Sequence, residues 1–152
     1  MKISNIYLGS DHAGFALKEK LKKYFSEKKI KYIDMGNLKY DENDDYPQYA
    51  FLVGEKVAAD KNAKGILVCG SGIGMSIAAN KVKGIRAVAP YDAYSAKMSR
   101  LDNDSNICAL NGKRFSFEKA KSILNIWLST EFSQKSRHIR RLKKISAFER
   151  KK

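Results

Sequence analysis

A cysteine at the start of a glycine-rich turn is the residue of this sequence most suited to chemistry. Cys69 directly follows the apolar run of residues 66–68 and precedes residues 70–74, which read GSGIG. Glycines let the backbone approach a ligand closely, and the free N–H groups at the start of a following helix favour an anion. Because positive potential favours the thiolate form of a cysteine, this stretch would place a base or nucleophile beside a site for negative charge.

The same residues also suit a turn with no chemical role. A tight connection between a strand and a helix needs glycines for its backbone, and its cysteine would then be buried and inert. The turn lacks the Lys-Ser/Thr ending of a P-loop, and it matches a dinucleotide fingerprint only loosely. The turn by itself therefore leaves both interpretations open.

The elements that must position Cys69 alternate between strands and helices. Apolar runs predict strands at residues 3–8, 32–33, 66–68, 86–89 and 107–110. The segments between them have helical spacing, and the basic tail predicts a last helix at residues 137–150. This order predicts a doubly wound, Rossmann-like α/β/α sandwich with a five-stranded parallel sheet and a C-terminal helical tail. We expect residues 1–152 to form a single domain.

The carboxyl ends of parallel strands lie at one edge of a sheet, where ligands bind. The loops after the first, third and fourth strands are therefore expected to gather there. They would bring Asp11, His12, Cys69 and residues 102–103 within reach of a common cleft, either within one chain or across a subunit boundary.

Length and cysteine usage limit the class of protein. A chain of 152 residues with 43% hydrophobic residues can bury a core of its own. Cys69 and Cys108 lie in separate apolar runs, which is typical of a reduced protein and not of a disulfide framework. The sequence opens directly on a strand pattern, and no apolar run approaches transmembrane length. We therefore expect a cytoplasmic location and no membrane partner.

The formal net charge of +14 has two explanations. A strongly basic surface is typical of proteins that bind nucleic acid, but a lysine-rich composition with an anionic substrate gives the same charge. The basic residues of the tail are not interleaved with aromatic residues, as a base-stacking platform requires. We favour the anionic substrate and expect no nucleic-acid partner.

Several separated motifs resemble those of type B ribose-5-phosphate isomerases, and they occur in the same order. Residues 9–15 (GSDHAGF) resemble the GxDHxG signature of that family, and residues 45–47 resemble its DYP. Residues 69–74 (CGSGIG) with 78–81 (AANK) resemble its CGTGxG…AANK. Shorter matches lie at residues 84–87, 99–100, 103–106 and 137–141. The resemblance covers nearly the whole chain, and the relatives include the subunits of galactose-6-phosphate isomerase.

The resemblance implies an aldose–ketose isomerase that works through a cis-enediolate without a metal or other cofactor. Cys69 would be the base that moves a proton between adjacent carbons. Backbone N–H groups across residues 70–74 would hold the developing oxyanion. Ser71 stands where the family commonly has threonine, and its hydroxyl would assist at the ring or carbonyl oxygen. Some relatives use a carboxylate in place of the cysteine.

The resemblance also implies a set of substrate-binding residues and a shared site. The tail, residues 130–152, would reach across a homodimer or a dimer of dimers, so that each site draws on two chains. The predicted substrate-binding residues are Asp11, His12, Gly70, Gly72, Ile73, Gly74, Asn103, Lys113, Arg137 and Arg141. Arg114 is an alternative to Lys113. Each of these residues also has a purely structural interpretation, such as a helix cap, a turn or a solvated tail.

Position 102 departs from the family pattern. The family often has a histidine there, which is assigned to opening the furanose ring, and this sequence has Asp102. A carboxylate can act as a general base, but it has no proton to offer at neutral pH. Asp102 is therefore a predicted catalytic residue for ring opening, with a brace for the turn before the fifth strand as the alternative.

Two other functions stay open after the resemblance is taken into account. Within the enzyme class, the alternative is a hexose-6-phosphate isomerase of the galactose or allose type, since the shape of the pocket decides the length of the sugar. Outside that class, the alternative is a basic α/β protein that binds nucleic acid.

Overall fold

Five short strands and six helices alternate along the chain in the computed structural model, which describes residues 3–151. The strands are β1 (Ile6–Ser10), β2 (Ile33–Asp34), β3 (Lys64–Cys69), β4 (Ala87–Val88) and β5 (Ile107–Asn111). The helices are α1 (Phe15–Glu27), α2 (Tyr46–Ala58), α3 (Ile73–Ala79), α4 (Ala93–Asn103), α5 (Phe117–Ser129) and α6 (Ser136–Glu149). Across these residues, no helix is both long and apolar enough to cross a membrane.

All five strands pair in parallel in one sheet, in the order β2-β1-β3-β5-β4. β3 lies at the centre, where Ile66 is opposite Leu8 of β1 and Cys108 of β5. The chain reverses its direction of winding between β1 and β3, which is where open α/β sheets bind ligands. The predicted doubly wound α/β fold is confirmed.

Alternation along β3 divides the core into two layers. All six residues of β3 are buried, as expected for a strand covered on both faces. Ile66 and Val68 pack with α1 and α5, whereas Leu67 and Cys69 pack with α2 and α3. Cys69 therefore lies on the α2 and α3 side of the sheet, directly before the turn that starts α3.

Several predicted element boundaries were wrong by one to three residues. β1 begins at Ile6 and includes Ser10, because its ladder with β3 starts at the pair of Ile6 and Lys64. β4 is limited to Ala87–Val88. α4 begins at Ala93 because Asp92 caps it: the Ser95 N–H donates to Asp92 Oδ1 at 2.7 Å.

The end of α4 also differs from the prediction. The sequence pattern predicts a helix over residues 91–101 and a polar loop over residues 103–106, but Asn103 is the last residue of the helix. Asp104 ends the helix in the left-handed conformation, with φ of 46°. This position more often holds glycine, so the sequence carried no clear stop signal there.

Candidate active site

Cys69 ends β3 and lies under the glycine turn. The side chain is buried, and the Gly72 N–H donates to its Sγ at 3.2 Å. The next N–H, from Ile73, donates to the hydroxyl of Ser71 at 3.2 Å, and Ser71 is exposed. Two successive backbone N–H groups therefore meet the thiol and the hydroxyl of the predicted catalytic residues.

The glycines of this turn are required by its geometry. Gly72 has φ of +80°, and a Cβ there would lie 3.0 Å from the Ala109 carbonyl oxygen of β5. A Cβ on Gly74 would lie 2.8 Å from the ring of Tyr46, which begins α2. Tyr46 was noted only as part of a motif, and the structure adds it to the wall of the site.

The turn after β1 packs against the end of β3. A Cβ on Gly14 would lie 2.2 Å from the Val68 carbonyl oxygen, so only glycine fits this contact. Asp11 is buried in the same turn, where its Oδ1 accepts a hydrogen bond from the Gly14 N–H at 3.0 Å. Burial raises the pKa of the Asp11 carboxyl, partly offset by that hydrogen bond. Asp11 thus braces the turn that packs against the end of β3.

His12 is held by a carboxylate that the sequence interpretation missed. Its backbone N–H donates to Asp44 Oδ1 at 2.9 Å, and its Nδ1 lies 2.7 Å from the same oxygen. The Asp44 side chain is only 2% exposed, and its Oδ2 accepts from Asn37 Nδ2 at 2.7 Å. The hydrogen bond to Asp44 raises the pKa of His12. Strand adjacency indicates this loop, because it follows β2 and β2 pairs with β1, but it does not indicate which carboxylate of the loop turns inward.

A buried lysine anchors the loop that carries Asp44. Lys18 of α1 donates to Asp34 Oδ1 and to the Asn37 carbonyl oxygen, both at 2.7 Å. Its side chain is fully buried. Burial would raise the pKa of Asp34, but the hydrogen bonds from Lys18 and Lys22 outweigh that effect and lower it. This ion pair fixes the end of β2, and with it the loop that reaches His12.

We predict that Asp44→Asn lowers the pKa of His12. The substitution removes the negative charge that stabilises the imidazolium, so His12 should titrate at lower pH. The measurement is an NMR titration, which is simple because the chain has two histidines. Glu42→Gln removes the same charge from an exposed position of the same loop and should leave the titration unchanged. An unchanged titration in Asp44→Asn would contradict the assigned hydrogen bond.

The turn after β5 completes this edge of the sheet. The Gly112 N–H donates to the Cys69 carbonyl oxygen at 2.8 Å, and the Lys113 N–H donates to the Gly70 carbonyl oxygen at 3.2 Å. A Cβ on Gly70 would lie 3.4 Å from Lys113 Cε, so the lysine stem lies against the glycine turn. Lys113 is exposed and is positioned to meet an anion there. The turns after β1, β3 and β5 therefore meet around Cys69, whereas the loops after the first, third and fourth strands were predicted to meet there, so the prediction was wrong for the third of these loops.

Asp11, His12 and Asp44 are also close enough to be considered as metal ligands. Within residues 3–151 they form the one group of this kind, with ligand atoms within 4.8 Å of one another. One oxygen of each carboxylate is already used, since Asp44 Oδ1 binds His12 and Asp11 Oδ1 accepts from the Gly14 N–H. A metal ion would compete with both contacts. The absence of a metal requirement stays a prediction.

The remaining predicted residues lie at the opposite edge of the sheet. Cys69 is at the carboxyl end of β3, whereas α4 ends at Asn103, just before β5 begins at Ile107. In a parallel sheet these positions are at opposite edges. The segment that leads into α6 also lies at this far edge, because the Ser133 N–H donates to the Leu101 carbonyl oxygen of α4 at 3.1 Å. One chain therefore does not bring Asp102 and Asn103 to its own Cys69.

The far edge has a polar cluster of its own. Asp102 Oδ1 lies 3.2 Å from Nδ1 of His138, and Arg137 Nε donates to His138 Nε2 at 2.9 Å. Asn103, Arg137 and Arg141 are exposed. The predicted ring-opening residue Asp102 and the predicted substrate-binding residue Arg137 therefore belong to this cluster, at the edge opposite the thiol of the same chain.

Known proteins are similar to this chain over nearly its whole length, which includes the residues at both edges of the sheet. Ribose-5-phosphate isomerase B of Escherichia coli is 41% identical over 147 residues, 97% of each chain. A solved structure of the same enzyme from Clostridium thermocellum is 40% identical, covers 97% of this chain and 98% of its own, and has a TM-score of 0.92.

A second structure, from Mycoplasma genitalium, contains bound ribulose 5-phosphate. It is 35% identical, covers 97% of both chains and has a TM-score of 0.93. The model of the family described as Ribose/Galactose Isomerase matches residues 6–145, a range that takes in both groups of site residues. The chain therefore belongs to the ribose/galactose isomerase family.

Proposed function

We propose that this chain interconverts ribose 5-phosphate and ribulose 5-phosphate, with Cys69 as the base. The observation that carries the proposal is the Cys69 thiol at the end of β3, in contact with the Gly72 N–H. It is supported by the relative from Mycoplasma genitalium with bound ribulose 5-phosphate, which is 35% identical over nearly the whole chain.

The chemistry follows from the groups around the thiol. The Cys69 thiolate removes the C2 proton of the open-chain aldose, and the electrons of that bond form the C1–C2 double bond of a cis-enediolate. Backbone N–H groups of the turn, such as that of Ile73, stabilise the charge that develops on oxygen. Cys69 returns the proton to C1, and the hydroxyl proton passes from O2 to O1, for which the exposed Ser71 hydroxyl is the nearest relay.

We further propose that the complete site is shared between two copies of the chain. Asp102, Asn103, Arg137 and Arg141 lie at the far edge of their own sheet, so a second copy must supply them to Cys69. In a twofold dimer each copy then supplies the Cys69 edge to one site and the far edge to the other.

The surface agrees with a shared site. Ile73 and Ile77 of α3, next to the glycine turn, are 59% and 58% exposed. On α6, Ile145 and Phe148 are 54% and 62% exposed. Exposed apolar side chains of this size next to the thiol and on the tail are typical of surfaces that another chain covers.

Each half contributes a different function to the proposed site. Arg137 and Arg141 lie one helical turn apart, so their guanidinium groups can bind one phosphate together. Asp102 would accept the proton of the anomeric hydroxyl, and Asn103 would bind sugar oxygens. The proposed setting is the cytoplasm, since both cysteines are free thiols in neighbouring strands.

A panel of substrates tests the proposal. Turnover of ribose 5-phosphate should exceed that of galactose 6-phosphate and allose 6-phosphate, and unphosphorylated ribose should be a poor substrate because the arginines have nothing to bind. A preference for a hexose phosphate would replace the proposed substrate. Salt-dependent binding to nucleic acid without any isomerase activity would overturn the assignment as an enzyme.

A further inference from the structure

His138 is the one buried residue of α6, a helix that is otherwise exposed or half-buried. Only 2% of its surface is accessible. Its Nε2 accepts a hydrogen bond from Arg137 Nε at 2.9 Å. Its Nδ1 lies 3.1 Å from Ser133 Oγ, 3.4 Å from the Leu101 carbonyl oxygen and 3.2 Å from Asp102 Oδ1. The imidazole therefore lies between Arg137 and Asp102.

The Arg137 contact determines which nitrogen of His138 carries the proton. A guanidinium has donors and no acceptor, so Nε2 must accept through its lone pair. The ring is then neutral with its proton on Nδ1. That proton faces the Leu101 carbonyl oxygen, the Ser133 hydroxyl and the Asp102 carboxylate, which are all able to accept it. A protonated ring would place an N–H against the Arg137 N–H.

The position of Arg137 depends on this contact. Arginine has a long, flexible side chain, and a fixed Nε leaves the two terminal nitrogens as a fork for phosphate. Arg137 is exposed, so His138 Nε2 is a fixed acceptor for a group that otherwise faces solvent. Asp102 is also 40% exposed, and Nδ1 of the same ring approaches its carboxylate.

We infer that His138 is a positioning residue that orients the Arg137 guanidinium for the phosphate and holds the Asp102 carboxylate toward the sugar. The inference rests on the proposed function, in which both groups serve the active site of a second copy. One neutral imidazole then has two tasks. Its Nε2 orients Arg137 for phosphate binding, and its Nδ1 orients Asp102 for ring opening. Because each nitrogen serves a different step, the two tasks can be separated.

Two amide variants separate the two nitrogens. A glutamine amide reaches the place of Nε2, and an asparagine amide reaches only the place of Nδ1. His138→Gln should keep KM for ribose 5-phosphate within about twofold and lower kcat about fivefold, whereas His138→Asn should raise KM about tenfold with a smaller loss of kcat. Adding His138→Asn to Arg137→Ala should raise KM no further. Arg140→Gln, an exposed change on the same helix, should alter neither constant.

A spectrum of the wild type tests the tautomer without any variant at position 138. The chain has two histidines, so nitrogen-15 NMR of the imidazoles gives two spin systems, and His12→Asn assigns them. His138 should show a protonated Nδ1 and a bare Nε2. The opposite tautomer, or a ring protonated on both nitrogens at neutral pH, would overturn the inference.

The outcomes distinguish this inference from the proposed function. A wild type that turns over none of the aldose phosphates contradicts the proposed function, and the positioning role falls with it. If the wild type is active but His138→Gln and His138→Asn change KM and kcat by the same factors as each other, the positioning role alone is contradicted. In that case His138 supports only the packing of α6 on α4.

Discussion

Cys69→Ala is expected to lower kcat by about 10² to 10⁴, the usual contribution of a positioned general base. The variant should still bind the substrate, because Asp11, His12 and Lys113 remain in place around it. Cys69 is buried on the α2 and α3 side of the sheet, so the loss of one sulfur should leave a folded protein. The measurement is turnover of ribose 5-phosphate together with the affinity for a phosphorylated open-chain enediolate mimic.

Cys108 provides the matched control. It lies on the neighbouring strand, opposite Ile66, and is fully buried. Burial raises the pKa of its thiol, so it stays protonated and is no base. Cys108→Ala should keep the wild-type rate. If Cys69→Ala also kept a rate near that of the wild type, another residue would be the base.

Two inactive variants should restore activity when they are mixed. Cys69→Ala lacks the thiol at one edge, and the double variant Arg137→Ala, Arg141→Ala lacks the phosphate ligands at the other. Random exchange of subunits makes half of the dimers mixed, and each mixed dimer has one intact site of two, so about a quarter of the wild-type rate should return. The measurement is turnover after denaturation and joint refolding.

The control for this experiment pairs two changes from the same edge. Asp11 lies in the turn beside Cys69, so mixing Cys69→Ala with Asp11→Asn damages both sites of every mixed dimer, and no recovery is expected. Lack of recovery in the first mixture, with mixed dimers present by mass spectrometry, would show that the far edge does not complete the site.

Local signals in the sequence were sufficient for the fold and for the glycine turn that follows Cys69. The strand before Cys69 is apolar at every central position because both of its faces are covered, and the glycines of the turn are required by close contacts that leave no space for a side chain. Such features depend on adjacent residues, so their composition predicts them. The family resemblance also named Asp11, His12 and Lys113, which the structure places in the turns next to the thiol, and their roles stay predictions.

The features of the site that the sequence did not predict depend on contacts between residues that are far apart in the chain. The hydrogen bonds of Asp44 to His12 span 32 positions in the sequence, and an acidic loop gives no sign of which carboxylate turns inward. The separation of Asp102 from Cys69 follows from the direction of α4, because a helix that returns to the next strand ends at the opposite edge. The spacing of residues in the sequence does not show at which edge of the sheet a residue lies, so Cys69 and Asp102 were both expected in one cleft.

The close contact at Gly14 limits how this enzyme could acquire a different substrate. With the turns after β1, β3 and β5 in backbone contact, an insertion in any of them, or a side chain at Gly14 or Gly72, would displace the thiol. The loop after β2 is free of that restriction at its tip, where Leu38 and Tyr40 are 72% and 61% exposed. We therefore expect directed evolution toward longer sugars to collect its changes in residues 38–43 and, under the proposed shared site, near Arg137 and Arg141, while the three turns around the thiol stay constant.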